Sequence, residues 1–363
     1  MKIFVFGSSI SSSYWNGAAT YYRGIYRNLH ALGHEITFAE PDIYGRQQHR
    51  DEDDFSFVAE VVYKDAGDLP ALLNDARQFD LVVKHSGVGA NDSLLEAGVL
   101  NCRGEKTQVA FWDVDAPATL ARVEADVHDA FRDCIPQYDF LFTYGGGAPV
   151  LNHYKRLGAR NCHAIYNALD PETHYPVASS EEFRCDLAFV GNRLPDRERR
   201  VEEMFLRAAE LAPEMSFLLG GEGWEGKPLP SNVRWIGHVA TGNHNVVNSS
   251  ARMVLNLNRE SMASVGFSPP TRVFEAAGSG ACLITDRWPG IDQFFGENSE
   301  ILVASSAEEI VGFLRQLDAA EAKRIGQRMR ARALREHTYA QRAALVDALL
   351  QSSGEPEEAM VAQ

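Results

Sequence analysis

The sequence predicts an α/β protein with two doubly wound parallel sheets, one in each of two domains. With 363 residues, the chain is longer than a single hydrophobic core usually serves, which favours two domains. Short apolar runs alternate with stretches of helical periodicity, an alternation typical of parallel sheets covered by helices. A polar segment at residues 172–184 interrupts this alternation, which then begins again.

The first domain is expected to span residues 1–170. It begins with "KIFVFG", an apolar run ending in glycine, followed by a serine-rich loop and the helical stretch "YYRGIYRNLHALGH". "EITFAEPD" follows as the second strand, so the chain opens with the strand–helix–strand unit of a Rossmann-like sheet. Further strands are predicted within residues 80–87, 108–117, 138–147 and 161–171.

The second domain is expected to span residues 171–336. "CDLAFVGN" is its first strand, and "DRERRVEEMFLRAAELAP" has the apolar spacing of a long amphipathic helix. Further strands are predicted in "MSFLLGGEG", "VRWIGHV", "RMVLNLNR", "ACLITD" and "EILVA". A final helix over 337–352 is expected to pack back on the first domain, and the polar tail 353–363 is predicted to be disordered.

Composition excludes several classes of function. The net charge of −15 disfavours binding to nucleic acid or to an anionic membrane surface. No apolar run approaches the roughly 18–20 residues that span a bilayer, and the N-terminus lacks a signal-peptide pattern. The five cysteines form no C-x-x-C pair, so we interpret them as reduced thiols of a cytoplasmic protein.

The stretch "SPPTRVFEAAGSG" places an arginine and a glutamate at the start of a small-residue helix. The two prolines disfavour helix before Thr271, which is able to cap the helix. Free N–H groups and Arg272 would attract a phosphate, whereas Glu275 could accept hydrogen bonds from a ribose diol. Together they indicate a nucleotide-sugar site. An arginine on the surface and a glutamate that interacts favourably with the helix dipole would account for the same sequence equally well.

Other common sites are missing from the sequence. The loop "GSSISSS" is not the G-x-G-x-x-G of dinucleotide-binding enzymes, and neither a P-loop lysine nor H-E-x-x-H is present. "DVD" matches a metal-binding D-x-D only in its letters, because it lies in the first domain, away from the expected diphosphate. We therefore expect no metal site.

The region "LNLNRESMASVGFSPPTRVFEAAGSGACLITDRWPGIDQFF" resembles the donor-binding region of GT-B glycosyltransferases, most closely the spore-maturation CgeB-like group. "DLAFVGNRLPDR", "NVRWIGHV" and "FWDVDAPATL" agree with that group, and the resemblance covers most of the chain. It implies a GT-B fold, with two Rossmann-like domains facing a cleft, and transfer of a sugar from a nucleotide donor. The sequence departs from the family in one respect: many retaining members carry two glutamates eight positions apart, and Phe267 takes the place of the first.

The resemblance also assigns donor-binding roles. It implies that backbone at Gly191 and Asn192 approaches the diphosphate, that Arg193 or Arg197 neutralises it, and that the loop at Gly237 and His238 contacts the nucleobase. Arg259 and Met262 would line the same pocket, with Asp286 and Trp288 after the following strand.

The first domain would bind the acceptor. Gly17 would open the first helix near the transferred sugar, and Tyr14, Trp15 and Asn16 would either contact a sugar or pack against the loop. Asp113, Asp115 and His85 are the candidates for a general base, all at predicted strand ends. A lone aspartate in such a place is as readily a loop anchor.

The function predicted from the sequence is metal-independent transfer of a sugar, from a UDP-sugar or dTDP-sugar, to an acceptor hydroxyl. No other cofactor is expected, and a glycan, a protein or a small molecule would each fit as acceptor. Two alternatives stay open: a nucleotide-sugar epimerase on the same fold, and a sugar-nucleotide-binding protein without transfer activity.

Overall fold

The computed structural model describes residues 1–14, 16–51 and 54–352, so that Trp15 and the predicted tail 353–363 lie outside the described residues. The chain forms two units. Unit 1 contains Met1–Tyr166 together with Tyr339–Gln363, and unit 2 contains Asn167–Thr338.

Unit 1 is built on a seven-stranded parallel sheet. Its strands lie in the order β3-β2-β1-β4-β5-β6-β7. They are β1 (Lys2–Phe6), β2 (Glu35–Pro41), β3 (Ala59–Tyr63), β4 (Leu81–His85), β5 (Gln108–Asp113), β6 (Phe140–Thr143) and β7 (Cys162–Ala164). The sequence did not predict β3, an edge strand whose residues are mostly exposed or half-buried.

Six helices follow strands of this sheet: α1 (Ala19–Ala31), α2 (Leu69–Ala76), α3 (Asp92–Gly98), α4 (Ala116–Ala125), α5 (Ala130–Cys134) and α6 (Gly147–Arg156). Helix α1 buries one face that is unusually aromatic, with Tyr21, Tyr22 and Tyr26 almost inaccessible to solvent. These rings form much of the packing between α1 and the central strands, since Tyr22 and Tyr26 both contact Phe38 of β2.

Unit 2 is built on a six-stranded parallel sheet in the order β10-β9-β8-β11-β12-β13. Its strands are β8 (Cys185–Val190), β9 (Phe217–Gly220), β10 (Val233–Trp235), β11 (Ala251–Asn256), β12 (Leu283–Asp286) and β13 (Leu302–Ala304). All were predicted from their apolar runs. The two parallel, helix-covered sheets confirm the predicted fold class.

The helices of unit 2 are α7 (Pro195–Arg200), α8 (Arg207–Leu211), α9 (His244–Ser250), α10 (Glu260–Val265), α11 (Thr271–Ser279), α12 (Ala307–Gln316) and α13 (Ala319–Glu336). A π-helical segment, Val201–Leu206, joins α7 to α8, so the predicted amphipathic helix is continuous but irregular. The long helical stretch near the C-terminus divides into α12 and α13, because the side chain of Asp318 caps α13 by accepting the Glu321 N–H at 2.8 Å.

The last helix, α14 (Tyr339–Ser352), belongs to unit 1 and packs against α1. Gly24 of α1 makes this approach possible, since a Cβ at that position would lie 2.3 Å from the Tyr339 ring. The first unit ends earlier than the predicted limit at residue 170. The reason is local: the Leu169 N–H donates to the His337 carbonyl at 2.8 Å, which ties this segment to unit 2.

Two further expectations concern the environment of the protein. None of the helices in the described ranges is both long and apolar enough to cross a bilayer. All five cysteines are buried free thiols: Cys102, Cys134, Cys162, Cys185 and Cys282. Burial raises the pKa of Cys162, Cys185 and Cys282 to about 12, which disfavours the nucleophilic thiolate form.

Candidate functional site

Three loops meet at the carboxyl edge of the unit 2 sheet, where ligands bind in doubly wound folds. The Gly191 N–H, after β8, donates to the Gly220 carbonyl at 2.9 Å, and the Gly221 N–H donates to the Gly237 carbonyl at 2.7 Å. Gly221 has φ of +120°, and a Cβ there would lie 2.3 Å from the carbonyl oxygen of Gly191. Glycine is therefore required for these loops to pack together, which leaves their backbone close to any ligand at this edge.

The residues after Gly191 are held by their neighbours. Asn192 Oδ1 accepts the Glu222 N–H at 3.0 Å. Arg193, predicted to neutralise the diphosphate, donates to Glu198 at 2.6 Å and is exposed. Because Glu198 already offsets its charge, these contacts favour Arg197 over Arg193 as the anion-binding group.

Arg197 and Arg272 are two cations without an ion pair. Neither has a carboxylate within 4.0 Å in the part of the chain that the structure describes. Arg197 Nη2 donates to the Asn192 carbonyl at 2.6 Å, and its guanidinium lies 5.6 Å from the centre of the Phe189 ring. Burial and the charge of Arg272 lower the pKa of Arg197 to about 10. Two neighbouring, partly buried cations that repel each other are arranged to receive an anion.

Helix α11 carries Arg272 in its first turn. Its N-cap is Pro270, and no side chain caps it, so the expected cap by Thr271 is wrong. Thr271 is instead the first helical residue. Among the described residues no side chain caps the N–H groups of this first turn, and they add their partial positive charge to that of Arg272.

Glu275 lies one turn further along α11 and is 14% exposed. Its Oε2 has no hydrogen-bond partner among the described residues; it makes an ion-pair contact of 3.5 Å with His244 Nδ1, which likewise has no hydrogen bond. Although burial alone would raise it, His244 and Arg272 lower the pKa of Glu275 to about 2. The Oε2 atom is buried without a hydrogen bond, so it can accept one from a ligand or coordinate a cation.

Two histidines that the sequence does not indicate as site residues flank Glu275. His174, after β7, and His244, at the start of α9, each offer a ring nitrogen such that these atoms and a Glu275 oxygen lie within 4.8 Å of one another. Burial lowers the pKa of His174. No spacing in the sequence points to this cluster, because its members come from three separate elements.

The remaining predicted donor residues lie at the same edge of unit 2. Arg259 Nε donates to Asp196 at 2.7 Å, and Met262 lies on α10. His238 is exposed in the loop after β10. Asp286 is buried at the end of β12, where it accepts the Asn258 N–H at 3.1 Å and pairs with an arginine of α7. Burial raises the pKa of Asp286 to about 6.

Two of the three proposed bases are enclosed in unit 1. His85 is 1% exposed, stacks on Trp112 and lies 2.5 Å from the Tyr26 hydroxyl, and burial lowers its pKa well below the usual value. Asp113 is fully buried and accepts hydrogen bonds from Ser86 and Tyr154. These contacts favour structural roles for both residues, because a general base must touch the acceptor.

The other predictions for unit 1 concern loop residues. Asp115 is exposed at the start of α4 and makes no side-chain cap. Gly17 precedes α1, and a Cβ there would meet no described atom within 4 Å. Asn16 is a loop anchor, since its amide donates to the Ser9 and Ser12 carbonyls at 2.8 and 2.9 Å. Tyr14 stacks on His49 with ring centres 4.0 Å apart.

Comparison with known proteins gives a family match over part of the chain. Residues 197–348 match the model of a family described as "Glycosyl transferase-like". No curated protein sequence matches the chain.

Solved structures are similar over nearly the whole chain. Sucrose-phosphate synthase from Thermosynechococcus elongatus is 13% identical with a TM-score of 0.66, covering 98% of this chain and 99% of that one. HepE from Anabaena, in complex with UDP-glucose, is 12% identical with a TM-score of 0.67, covering 97% and 100%. An α-glucosyltransferase, in complex with UDP-glucose and DNA, is 11% identical with a TM-score of 0.70, covering 97% and 99%. The CgeB-like subgroup stays a prediction, whereas the fold is that of the GT-B glycosyltransferases.

Proposed function

We propose that the protein is a glycosyltransferase that moves a hexose from a nucleoside-diphosphate sugar to an acceptor hydroxyl. One observation carries this proposal: helix α11 presents Arg272 and, one turn away, Glu275, whose Oε2 accepts no hydrogen bond from the described residues. Arg197 is a second cation nearby. A site for phosphate alone would not include a carboxylate, because the two negative charges repel each other. A nucleoside diphosphate offers both an anion and a pair of hydroxyl donors.

The diphosphate would bind between Arg197, Arg272 and the first turn of α11. These groups neutralise the charge that grows on the leaving diphosphate as the sugar–phosphate bond breaks. Because two guanidinium groups and a helix N-terminus already supply positive charge, we propose that transfer needs no metal ion. Backbone at Gly191 would approach the phosphates.

The nucleoside would lie further along the same edge of the sheet. Glu275 would accept hydrogen bonds from the ribose hydroxyls, and the loop containing Gly237 and His238 would contact the base. Complexes of HepE and of the α-glucosyltransferase with UDP-glucose support a uridine donor. We therefore propose a UDP-sugar first and a dTDP-sugar second, with Arg259 and Met262 lining the pocket.

The acceptor would bind to unit 1, near Gly17. The acceptor oxygen forms a bond to the anomeric carbon, the bond to the diphosphate breaks, and the hydroxyl proton passes to a base. Asp115 is the one of the three predicted bases whose side chain is exposed, and we propose it for that role. Phe267, which packs its ring against Gly290, supplies no carboxylate at the position where retaining enzymes have one, which favours a base-assisted displacement.

Nucleotide binding tests the donor site directly. Isothermal titration calorimetry with UDP, dTDP, GDP and inorganic pyrophosphate would be run on the wild type, Arg272→Gln and Glu275→Gln. We expect Arg272→Gln to weaken the binding of both UDP and pyrophosphate. Glu275→Gln should weaken the binding of UDP and leave that of pyrophosphate unchanged. Glu308→Gln removes an exposed carboxylate from the first turn of another helix in the same unit and is the matched control.

Failure of all four ligands to bind folded protein would contradict the donor site. If a nucleotide binds, its sugar conjugate can be followed by chromatography with and without saccharide, peptide and small-molecule acceptors. Release of an altered free sugar without any acceptor would support the epimerase alternative. Tight binding without turnover would support a binding protein.

The compartment is also a proposal. Five buried thiols and the absence of C-x-x-C pairs support a reducing, cytoplasmic location.

A further inference from the structure

Three ligand-type side chains meet beside helix α11, in a cluster that donor binding alone does not explain. His174 comes from the segment between β7 and β8, His244 from the first residue of α9, and Glu275 from the middle of α11. One nitrogen of each histidine and one carboxylate oxygen lie within 4.8 Å of one another. The side chains are largely buried: His174 is 7% exposed, His244 13% and Glu275 14%.

We propose that His174, His244 and Glu275 bind one divalent transition-metal ion, with zinc the best match. Two imidazoles and one carboxylate form a ligand set typical of zinc sites that keep a position open. Magnesium and calcium prefer oxygen ligands, so they fit this set poorly. The site lies entirely within unit 2.

Unsatisfied polar atoms within the cluster support a bound ion. Within the described residues, His244 Nδ1 and Glu275 Oε2 are buried atoms without a hydrogen bond, and they form an ion pair with each other at 3.5 Å. This separation is close to the spacing of about 3.4 Å between ligand atoms that each lie about 2.1 Å from a tetrahedral zinc ion. A metal ion between them would satisfy both atoms at once.

His174 has the arrangement of a metal ligand supported by a neighbour. Its Nδ1 contacts the Thr173 hydroxyl at 2.9 Å, which orients the ring and leaves Nε2 for coordination. The backbone holds the ring close to α11, because a Cβ on Gly278 would lie 2.9 Å from the Cβ of His174.

One charge opposes the ion. Arg272 lies one turn from Glu275 on α11, so its positive charge repels a dication at this site. We therefore expect weaker binding than at a structural zinc site. Because Arg272→Gln removes this repulsion, the variant should bind zinc more tightly than the wild type.

The consequence for catalysis rests on the proposed function. Glu275 cannot accept hydrogen bonds from a ribose and coordinate a metal with the same oxygens. Zinc and the nucleotide would therefore exclude one another, and zinc would inhibit transfer without taking part in it.

Zinc chloride alone is the first probe, titrated into metal-free full-length protein by isothermal titration calorimetry. We expect one ion per chain, a loss of affinity of at least tenfold in both His174→Ala and His244→Ala, and no change in His128→Ala. His128 is exposed in unit 1 and controls for adventitious binding to surface histidines. Cobalt(II) gives a second readout, because its visible absorption reports nitrogen and oxygen ligands even where a variant is less stable.

Two results would overturn the site: no zinc binding to the wild type, or zinc binding that the His174 and His244 variants retain. UDP titrations without metal test the donor site separately, so failure of one proposal is distinguishable from failure of the other. With both ligands, the apparent affinity for UDP should fall as zinc is added. Unchanged UDP affinity at saturating zinc would refute the exclusion.

Discussion

Replacing Arg197 by methionine should weaken nucleotide binding without weakening the fold. The low pKa of Arg197, about 10, corresponds to a penalty of about 3 kcal/mol on its charged form. Partial exposure reduces this figure, and the variant loses the hydrogen bond to the Asn192 carbonyl, worth about 1–2 kcal/mol. Methionine fills a similar volume. We expect the stability of unit 2 to be unchanged or to rise by up to about 2 kcal/mol.

Binding should change in the opposite direction. A charged hydrogen-bonding group is worth about 1.5–3 kcal/mol, which corresponds to a loss of about 10- to 150-fold in UDP affinity. Calorimetric titration with UDP measures the affinity, and thermal unfolding measures the stability. For a domain of this size, about 1 kcal/mol shifts Tm by roughly 2–4 °C, so Tm should stay constant or rise by up to about 8 °C.

Arg193→Met is the matched control and the decisive comparison. The resemblance leaves Arg193 and Arg197 both open as the phosphate ligand, whereas the pairing of Arg193 with Glu198 favours Arg197 for that role. We expect Arg193→Met to change UDP affinity by less than about threefold. The reasoning is refuted if Arg197→Met lowers Tm and binds UDP like the wild type, or if only the Arg193 variant loses binding.

Three further predictions concern stability. Gly24→Leu should destabilise unit 1 by about 1–3 kcal/mol, because the new side chain overlaps the Tyr339 ring; an unchanged urea midpoint would contradict this packing of α1 on α14. Asp113→Asn should lower the free energy of unfolding by about 2–3 kcal/mol, because a buried hydrogen-bond acceptor loses its charge. The kcat per folded molecule should stay constant. A large fall in kcat of the fully folded variant would instead identify Asp113 as the base. The raised pKa of Asp286, about 6, gives the folded carboxyl a stabilising contribution that is present below pH 3.8 and lost as pH rises through 6. Relative to Asp286→Asn, the wild type should therefore lose about 1 kcal/mol between pH 5 and pH 7.5 in denaturant titrations, and a constant difference would contradict the assignment.

The fold could be predicted from the sequence because buried parallel strands and amphipathic helices leave strong, local patterns. The strands of unit 2 are short apolar runs, and β8, β9, β11, β12 and β13 are largely buried. Strand β3 was missed because it is an edge strand that is only partly buried, so its composition carries little signal. The division between α12 and α13 depends on one cap at Asp318, which a search for long periodic stretches overlooks.

The donor site could be predicted only where its residues lie on one element. Arg272 and Glu275 share a helix, so their spacing alone places them together. The choice between Arg193 and Arg197 depends on which of them Glu198 neutralises, and that is decided by the turn of α7. His174 and His244 have no spacing relation to Glu275, since tertiary packing alone joins the three.

Helix α11 explains why the donor site and the metal site should be coupled. In the free protein, among the described residues, its first two turns hold Arg272, which has no ion pair, and Glu275, whose Oε2 has no hydrogen-bond partner. A nucleoside diphosphate would satisfy the arginines and the carboxylate together, whereas a metal ion would satisfy the carboxylate and leave the arginines more strongly repelled. Removing the charge of Arg272 should therefore weaken the nucleotide and strengthen zinc binding. Opposite signs in one variant could not arise from a general loss of structure.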